Sequence, residues 1–239
     1  SLNQSEVESG KVSLIECDLL LPHTLSSLPK DIDFAYYLVH SMSSSAEQFD
    51  SMERKMATNF RDYLDTTSCK QCIYLSGIAN DEALSLHLLS RLETEKILRT
   101  SIVPLTVLRA AIIIGSGSAS FEIIRDLVEK LPVMIAPKWL KTRCQPIAIR
   151  DVLTYLSSVL DCEQTYGETY DIGGPEILTY KEMLLGYAKQ RGFKRWIISV
   201  PFVSPKLSSY WLYFVTSTSY SLASSLVSSM KNEVIARPN

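Results

Sequence analysis

His87 and Arg91 stand four residues apart in Leu84–Leu98, a stretch whose leucines recur at Leu84, Leu88 and Leu92. That period predicts a helix, and on a helix positions i and i+4 share a face. An imidazole that titrates near neutral pH, beside a guanidinium that never loses its charge, could exchange a proton and hold a ligand oxygen. Ser90 and Thr94 extend the same polar stripe. The plainer alternative is a solvated helix face without chemistry. A second feature is Ile112–Glu122, which reads I-I-I-G-S-G-S-A-S-F-E, a strand, a G-x-G turn and a helix. Such turns bind phosphate because backbone N–H groups and the helix dipole point at it. Here Ser120 replaces the third glycine, and no acidic residue follows the next apolar run, Val133–Ala136, to hold a ribose. The turn Gly115, Ser116, Gly117 and Ser118, with Phe121, is therefore expected to line a substrate or cofactor edge instead.

Other signals exclude more than they propose. Cys69 and Cys72 form a C-x-x-C, but no second ligand pair follows, so no metal site is expected. Five scattered cysteines in 239 residues read as reduced thiols of a cytoplasmic protein. A net charge of −2 offers nothing to nucleic acid or to an anionic membrane surface. Hydrophobic residues at 46% and charged residues at 21% suit a soluble, core-forming chain. Leu207–Met230 carries no charge, yet it is rich in serine and threonine. A buried or docking C-terminal helix is expected there rather than a membrane span.

The elements that would position these residues alternate in type. Val12–Glu16, Phe34–Val39, Cys72–Leu75 and Leu105–Ile114 read as buried strands, and Ala46–Leu64 and Leu84–Leu98 as helices. That order predicts a parallel sheet covered on both faces. Ligands of such sheets sit beyond the carboxyl ends of the strands, which singles out Asp18, Leu19, His40, Ser41, Ser76, Gly77 and Gly115–Ser118. In the second half Ser120 is expected to cap a helix at Phe121–Leu131, and Asp151 one at Val152–Leu160. Thr179 and Glu182 make a capping box that opens a helix stopping at Gly192. Short strands are expected at Ile147–Ile149, Thr169–Ile172 and Trp196–Val200. Arg109, inside an apolar run, needs a partner, either a helix carboxylate or a ligand oxygen.

Several linked stretches resemble a known family. They are Asp33–Ser41 (D-F-A-Y-Y-L-V-H-S), Ile73–Gly77 (I-Y-L-S-G), Leu108–Phe121, Gln145–Val152 (Q-P-I-A-I-R-D-V) and Tyr170–Pro175 (Y-D-I-G-G-P). In this order they resemble the extended and atypical short-chain dehydrogenase/reductase superfamily, in its NAD-dependent epimerase/dehydratase-like branch. The resemblance implies a doubly wound parallel Rossmann-like α/β sheet over residues 1–132 and a small α+β substrate domain over 133–239, with Ile147–Leu160 returning to the first. It makes Val12–Asp18 the third strand. The first two strands and the G-x-x-G-x-x-G turn would then precede this chain, which begins Ser-Leu-Asn and is expected to be N-terminally incomplete.

The resemblance also implies NAD or NADP as cofactor. Asp18, Leu19, Val39, His40, Ser41, Arg91, Arg109 and Ala110 would lie beside it. Catalysis would fall to His87 and Arg91, standing where the family carries its Tyr-x-x-x-Lys pair, and to Ser76. Arg143 and Gln145 would reach the substrate along with the Gly115–Ser118 turn and Phe121. The activity implied is oxidation, reduction or epimerisation of a small carbonyl or sugar-nucleotide substrate, with a nucleotide-binding sensor or assembly subunit as the alternative. Helices Ala46–Leu64 and Leu84–Leu98 often pair between subunits in relatives, which implies a homodimer.

Overall fold

The computed structural model describes residues 7–39, 46–79, 86–136, 138–199, 230 and 232–238. Four strands form the central sheet: β1 (Phe34–Tyr37), β2 (Gln71–Gly77), β3 (Leu105–Ala110) and β8 (Thr169–Ile172), ordered β1-β2-β3-β8 and all parallel. Helix α1 (Ala46–Leu64) joins β1 to β2, and α2 (Leu86–Leu98) joins β2 to β3. Side chains on a strand alternate between faces, and the cores follow that period. Cys72, Tyr74, Leu105 and Val107 meet Leu64 of α1 and Leu98 of α2 on one side. Ile73, Leu108 and Ala110 meet Val152 and Leu156 of α4 (Ile149–Ser158) on the other. Helices on both faces make this the expected doubly wound sheet. Thr169–Ile172, expected in the second unit, is instead its fourth strand.

A separate buried cluster joins α3 (Ala119–Lys130) to α5 (Tyr180–Gln190) through Ile123, Leu127, Val128, Met183 and Leu184. Three small sheets accompany it. Parallel β5 (Val133–Ala136) pairs with β10 (Trp196–Ser199), β4 (Ile113–Ile114) with β7 (Ile147–Ala148), and antiparallel β6 (Arg143–Cys144) with β9 (Leu178–Thr179). The Thr179–Glu182 capping box opens α5 as expected, and Gly192 follows it at φ +72°.

Several expectations need correction. Val12–Glu16 is not a strand; Leu14 is 64% exposed and Ile15 43%, and no described strand runs beside them to pair with. An apolar run without a ladder partner stays irregular, because its backbone groups must find water. Leu105–Ile114 is two strands, since the chain leaves the central sheet after Ala111 N–H bonds to the Ile172 carbonyl, and Ile113–Ile114 joins another sheet. Ser118, not Ser120, caps α3, its hydroxyl accepting from Phe121 N. Asp151 caps nothing; α4 begins three residues earlier than expected, after Ala148, which places the carboxylate within the first turn. Cys69, Cys72 and Cys144 are buried free thiols, and burial pushes Cys144 up to about 12. Residues 207–229 lie outside the described residues. Among the described residues no helix is long and apolar enough to cross a membrane.

Gln71 fastens the sheet to α4's far end. Its side chain is fully buried and every polar atom is answered. Nε2 donates to Thr106 Oγ1 at 2.8 Å and to the Val159 carbonyl at 2.9 Å, while Oε1 accepts from Asp161 N at 3.0 Å. That last bond helps hold Asp161 at φ +58°, a conformation a non-glycine residue seldom takes. Gln71→Leu keeps the volume but strands these groups, so it should cost about 2–4 kcal/mol in urea denaturation. A loss under about 0.5 kcal/mol would contradict this role.

Candidate functional site

The strands β2 and β3 run in parallel, so both end at the same edge of the sheet, where Ser76 pairs with Arg109 and Gly77 with Ala110. Beyond that edge lies a cleft of about 580 Å³. Its walls bring together Ser76, Arg91, Ala110 and the Gly115, Ser116, Gly117 and Ser118 turn, seven of the residues expected from sequence. Gly115 is required there by close packing. A Cβ on it would stand 2.5 Å from Cγ2 of Ile149 at the start of α4.

Strand alternation explains the polar side of the site. Ser76 lies two residues after Tyr74 and points to the α1–α2 face, where α2 turns Arg91 into the cleft. Arg91 Nη1 donates to the Leu75 carbonyl at 3.3 Å, which uses one of its five N–H donors. The Tyr74 hydroxyl donates to the Arg91 carbonyl at 3.4 Å. Burial raises the Tyr74 pKa, and the Arg91 charge opposes that rise. Ser76 Oγ is buried near the Tyr74 phenol but forms no hydrogen bond of good geometry. A buried hydroxyl without a partner costs free energy, so Ser76 Oγ, just beneath the cleft wall, holds donor capacity that its neighbours leave unused. Ser90 and Thr94 are buried too, so these two residues of the α2 stripe are not solvated.

Other expected residues lie elsewhere. Arg109 is held by the Glu95 carboxylate of α2, with Nε and Nη2 at 3.1 and 2.9 Å from Oε2, so its partner is a helix carboxylate and not a ligand. Asp18 is exposed and accepts from Leu20 N, while Thr24 Oγ1 donates to its carbonyl. Leu19 packs beneath α1, and its carbonyl accepts from Asn59 Nδ2. Val39 is exposed, with its neighbour Leu38 on the cleft wall instead. Phe121 packs edge-on against Tyr187. Arg143 is exposed and paired in a fork with Glu233. Gln145 Nε2 donates to the Gly174 carbonyl at 2.6 Å, which fastens the Q-P-I-A-I-R-D-V and D-I-G-G-P stretches to each other. None of these seven is on the cleft wall. His40, Ser41 and the side chain of His87 lie outside what the structure describes.

The glycine turn does not fit a phosphate. Glu122 Oε1 accepts from Gly117 N at 3.5 Å, so a carboxylate already occupies the position an anion would take. The wall residues Ile149, Tyr180, Met230 and Val234 were not expected from sequence. They come from three separate stretches of the second half, and only the capping box beside Tyr180 hinted where one of them would be.

No family model matches the chain, and no curated protein does. Solved structures do. A nucleoside-diphosphate-sugar epimerase from Staphylococcus aureus matches all of this chain and 82% of its own, with a TM-score of 0.75 and 16% identity. The fold is that of the short-chain reductase and sugar-epimerase structures. Triphenylmethane reductase from Citrobacter, solved with NADP(H), matches 95% of this chain and 76% of its own at TM-score 0.73 and 14% identity. UDP-glucuronic acid 4-epimerase from Bacillus cereus, solved with NAD and a fluorinated substrate analogue, matches 97% of this chain and 83% of its own at TM-score 0.65 and 18% identity.

The ion pair assigns Arg109 a structural role. Arg109→Met leaves Glu95, 7% exposed, with only Arg99 as partner, and should cost about 2–3 kcal/mol in thermal or urea unfolding. A variant of wild-type stability that instead lost nucleotide binding would return Arg109 to the ligand.

Proposed function

We propose that this chain is an atypical member of the short-chain dehydrogenase/reductase superfamily that takes the nicotinamide end of NAD or NADP in this cleft. The observation carrying the reading is the unanswered Ser76 hydroxyl beside Arg91, at the sheet edge where such folds bind ligands. That neighbours of the same fold hold NADP(H) and NAD supports it. A nicotinamide bound here supplies hydride chemistry. Ser76 donates its hydroxyl hydrogen to the substrate's carbonyl or alkoxide oxygen. Arg91 binds ribose hydroxyls and stabilises negative charge on that oxygen as it develops. Arginine cannot give up a proton at neutral pH, so proton exchange falls to the His87 imidazole. The reaction class is oxidoreduction or epimerisation of a small carbonyl or sugar-nucleotide substrate.

A second reading rests on the same two residues. His87 and Arg91 occupy the positions where the resemblance places tyrosine and lysine, which favours a protein that binds nucleotide without turnover and reports it to a partner. The two readings separate cleanly in a titration followed by a turnover assay.

The described residues present no amide cradle for the pyrophosphate. In this 239-residue chain, reduced nicotinamide mononucleotide should therefore bind within about tenfold of NADPH, a difference of ~1.4 kcal/mol. Arg91→Ala should weaken both by about tenfold or more, since it removes a charge-assisted contact. Fluorescence titration reads both quantities. Unchanged affinity in Arg91→Ala would remove Arg91 from the site. His87→Ala should lower turnover about 100-fold without moving nucleotide affinity if the enzyme reading holds.

A further inference from the structure

Resting on that reading of the cleft, we infer that its substrate is an uncharged, largely apolar carbonyl compound and not a sugar nucleotide. The wall decides this. Of its twenty described residues, eleven are aliphatic and one is Tyr180. Three are glycines and four are serines, and the single charged residue is Arg91. The aliphatic side chains come from several elements around the cleft: Leu75 from β2 and Ile78 just after it, Leu88 from α2, Ile113 from β4, Ile149 from α4 and Val234 from the C-terminal segment.

A sugar nucleotide brings two phosphates and a ring of hydroxyls into its site. Each phosphate wants cations or several N–H donors, and each hydroxyl that loses water needs a partner. Arg91 is one cation, with a backbone carbonyl and a ribose already claiming its donors. At the glycine turn Gly117 N–H faces the Glu122 carboxylate and Ser118 N–H donates to the Gly115 carbonyl, so neither amide is free for a phosphate.

An apolar ketone or aldehyde meets the opposite balance. Its body exchanges water for aliphatic wall, worth roughly 25 cal/mol for each Å² of apolar surface covered. Its one polar atom, the carbonyl oxygen, takes up the donor capacity of the Ser76 hydroxyl and the Arg91 guanidinium at the polar end of the wall. The cleft's size is that of pockets for small organic ligands, about 300–1,000 Å³. A reduced nicotinamide held here would supply hydride to the carbonyl carbon and be oxidised, and the proton that makes the oxygen a hydroxyl would come from the His87 imidazolium assigned above.

The test is isothermal titration of the chain with α-tetralone, an uncharged bicyclic ketone, and with UDP-glucose, each with and without saturating NADP⁺. Tetralone should bind saturably and at least about tenfold more tightly than UDP-glucose. Leu38→Lys, at a 52% exposed position on the cleft wall, should weaken tetralone about fivefold or more while leaving the melting temperature in place. Tighter binding of UDP-glucose, or no binding of tetralone in either state, would overturn the inference. Failure of NADP⁺ itself to bind would count against the cofactor reading, and the two ligands' order on the free protein would still decide the substrate class.

Discussion

In a parallel ladder every strand ends on the same side, and the functional site of this chain exists because of that geometry. The pairing of β2 with β3 carries Ser76, Gly77 and Ala110 to one edge, and β8 adds Ile172 beside them. The period of two then divides the labour. Residues facing α1 and α2 supply polar groups, from Tyr74 through Ser76 to the α2 side chain Arg91. Those facing α4 supply Ile73, Leu108 and the floor on which Ile149 and Gly115 pack. A slip of one residue in β2 would exchange the two sets and destroy both the core and the cleft.

Glu95 and Asp171 are buried near this edge, and arginines answer both. Glu95 of α2 binds Arg109 of β3 and Arg99, and Asp171 of β8 binds Arg237 through Nε at 2.7 Å. Arg109 and Asp171 are register partners on neighbouring strands, so the two ion pairs sit side by side. Arg237 also ends a segment whose Val234 bonds Gln145 and whose Glu233 pairs with Arg143. Residues 232–238 thus tie the β6–β9 ribbon to the central sheet, with Val234 forming part of the cleft wall. Buried ion pairs contribute little net stability over an apolar core, but breaking one strands a charge, so this arrangement specifies where the last residues must lie.

Much of the frame could be read from residue order. Ala46–Leu64 is a helix with the bounds its spacing suggested, the capping box at Thr179 opens α5, and short apolar runs became parallel strands. What misled was apolarity without context. Val12–Glu16 has a strand's composition but no neighbour to bond, and Leu105–Ile114 looked continuous because a change of sheet leaves no mark in hydrophobicity. The site was half visible. Ser76 and the glycine turn follow from the rule that ligands lie beyond strand ends, whereas Arg91 came from its spacing to His87 and Ala110 from the family resemblance. Arg109, Arg143 and Gln145 had plausible chemistry, but partners far off in sequence, Glu95, Glu233 and Gly174, had already engaged them. Such pairings depend on tertiary contact and leave no local signal.

The central claim is that ligand chemistry takes place where β2 and β3 end. Hydrogen–deuterium exchange with and without NADPH tests it directly, because backbone protection reports location without needing a known substrate. The account predicts that NADPH slows exchange across 71–79, 88–91 and 110–118 and leaves 143–145 and 182–190 unchanged. Protection confined to the second set, with none at the ends of β2 and β3, would contradict it.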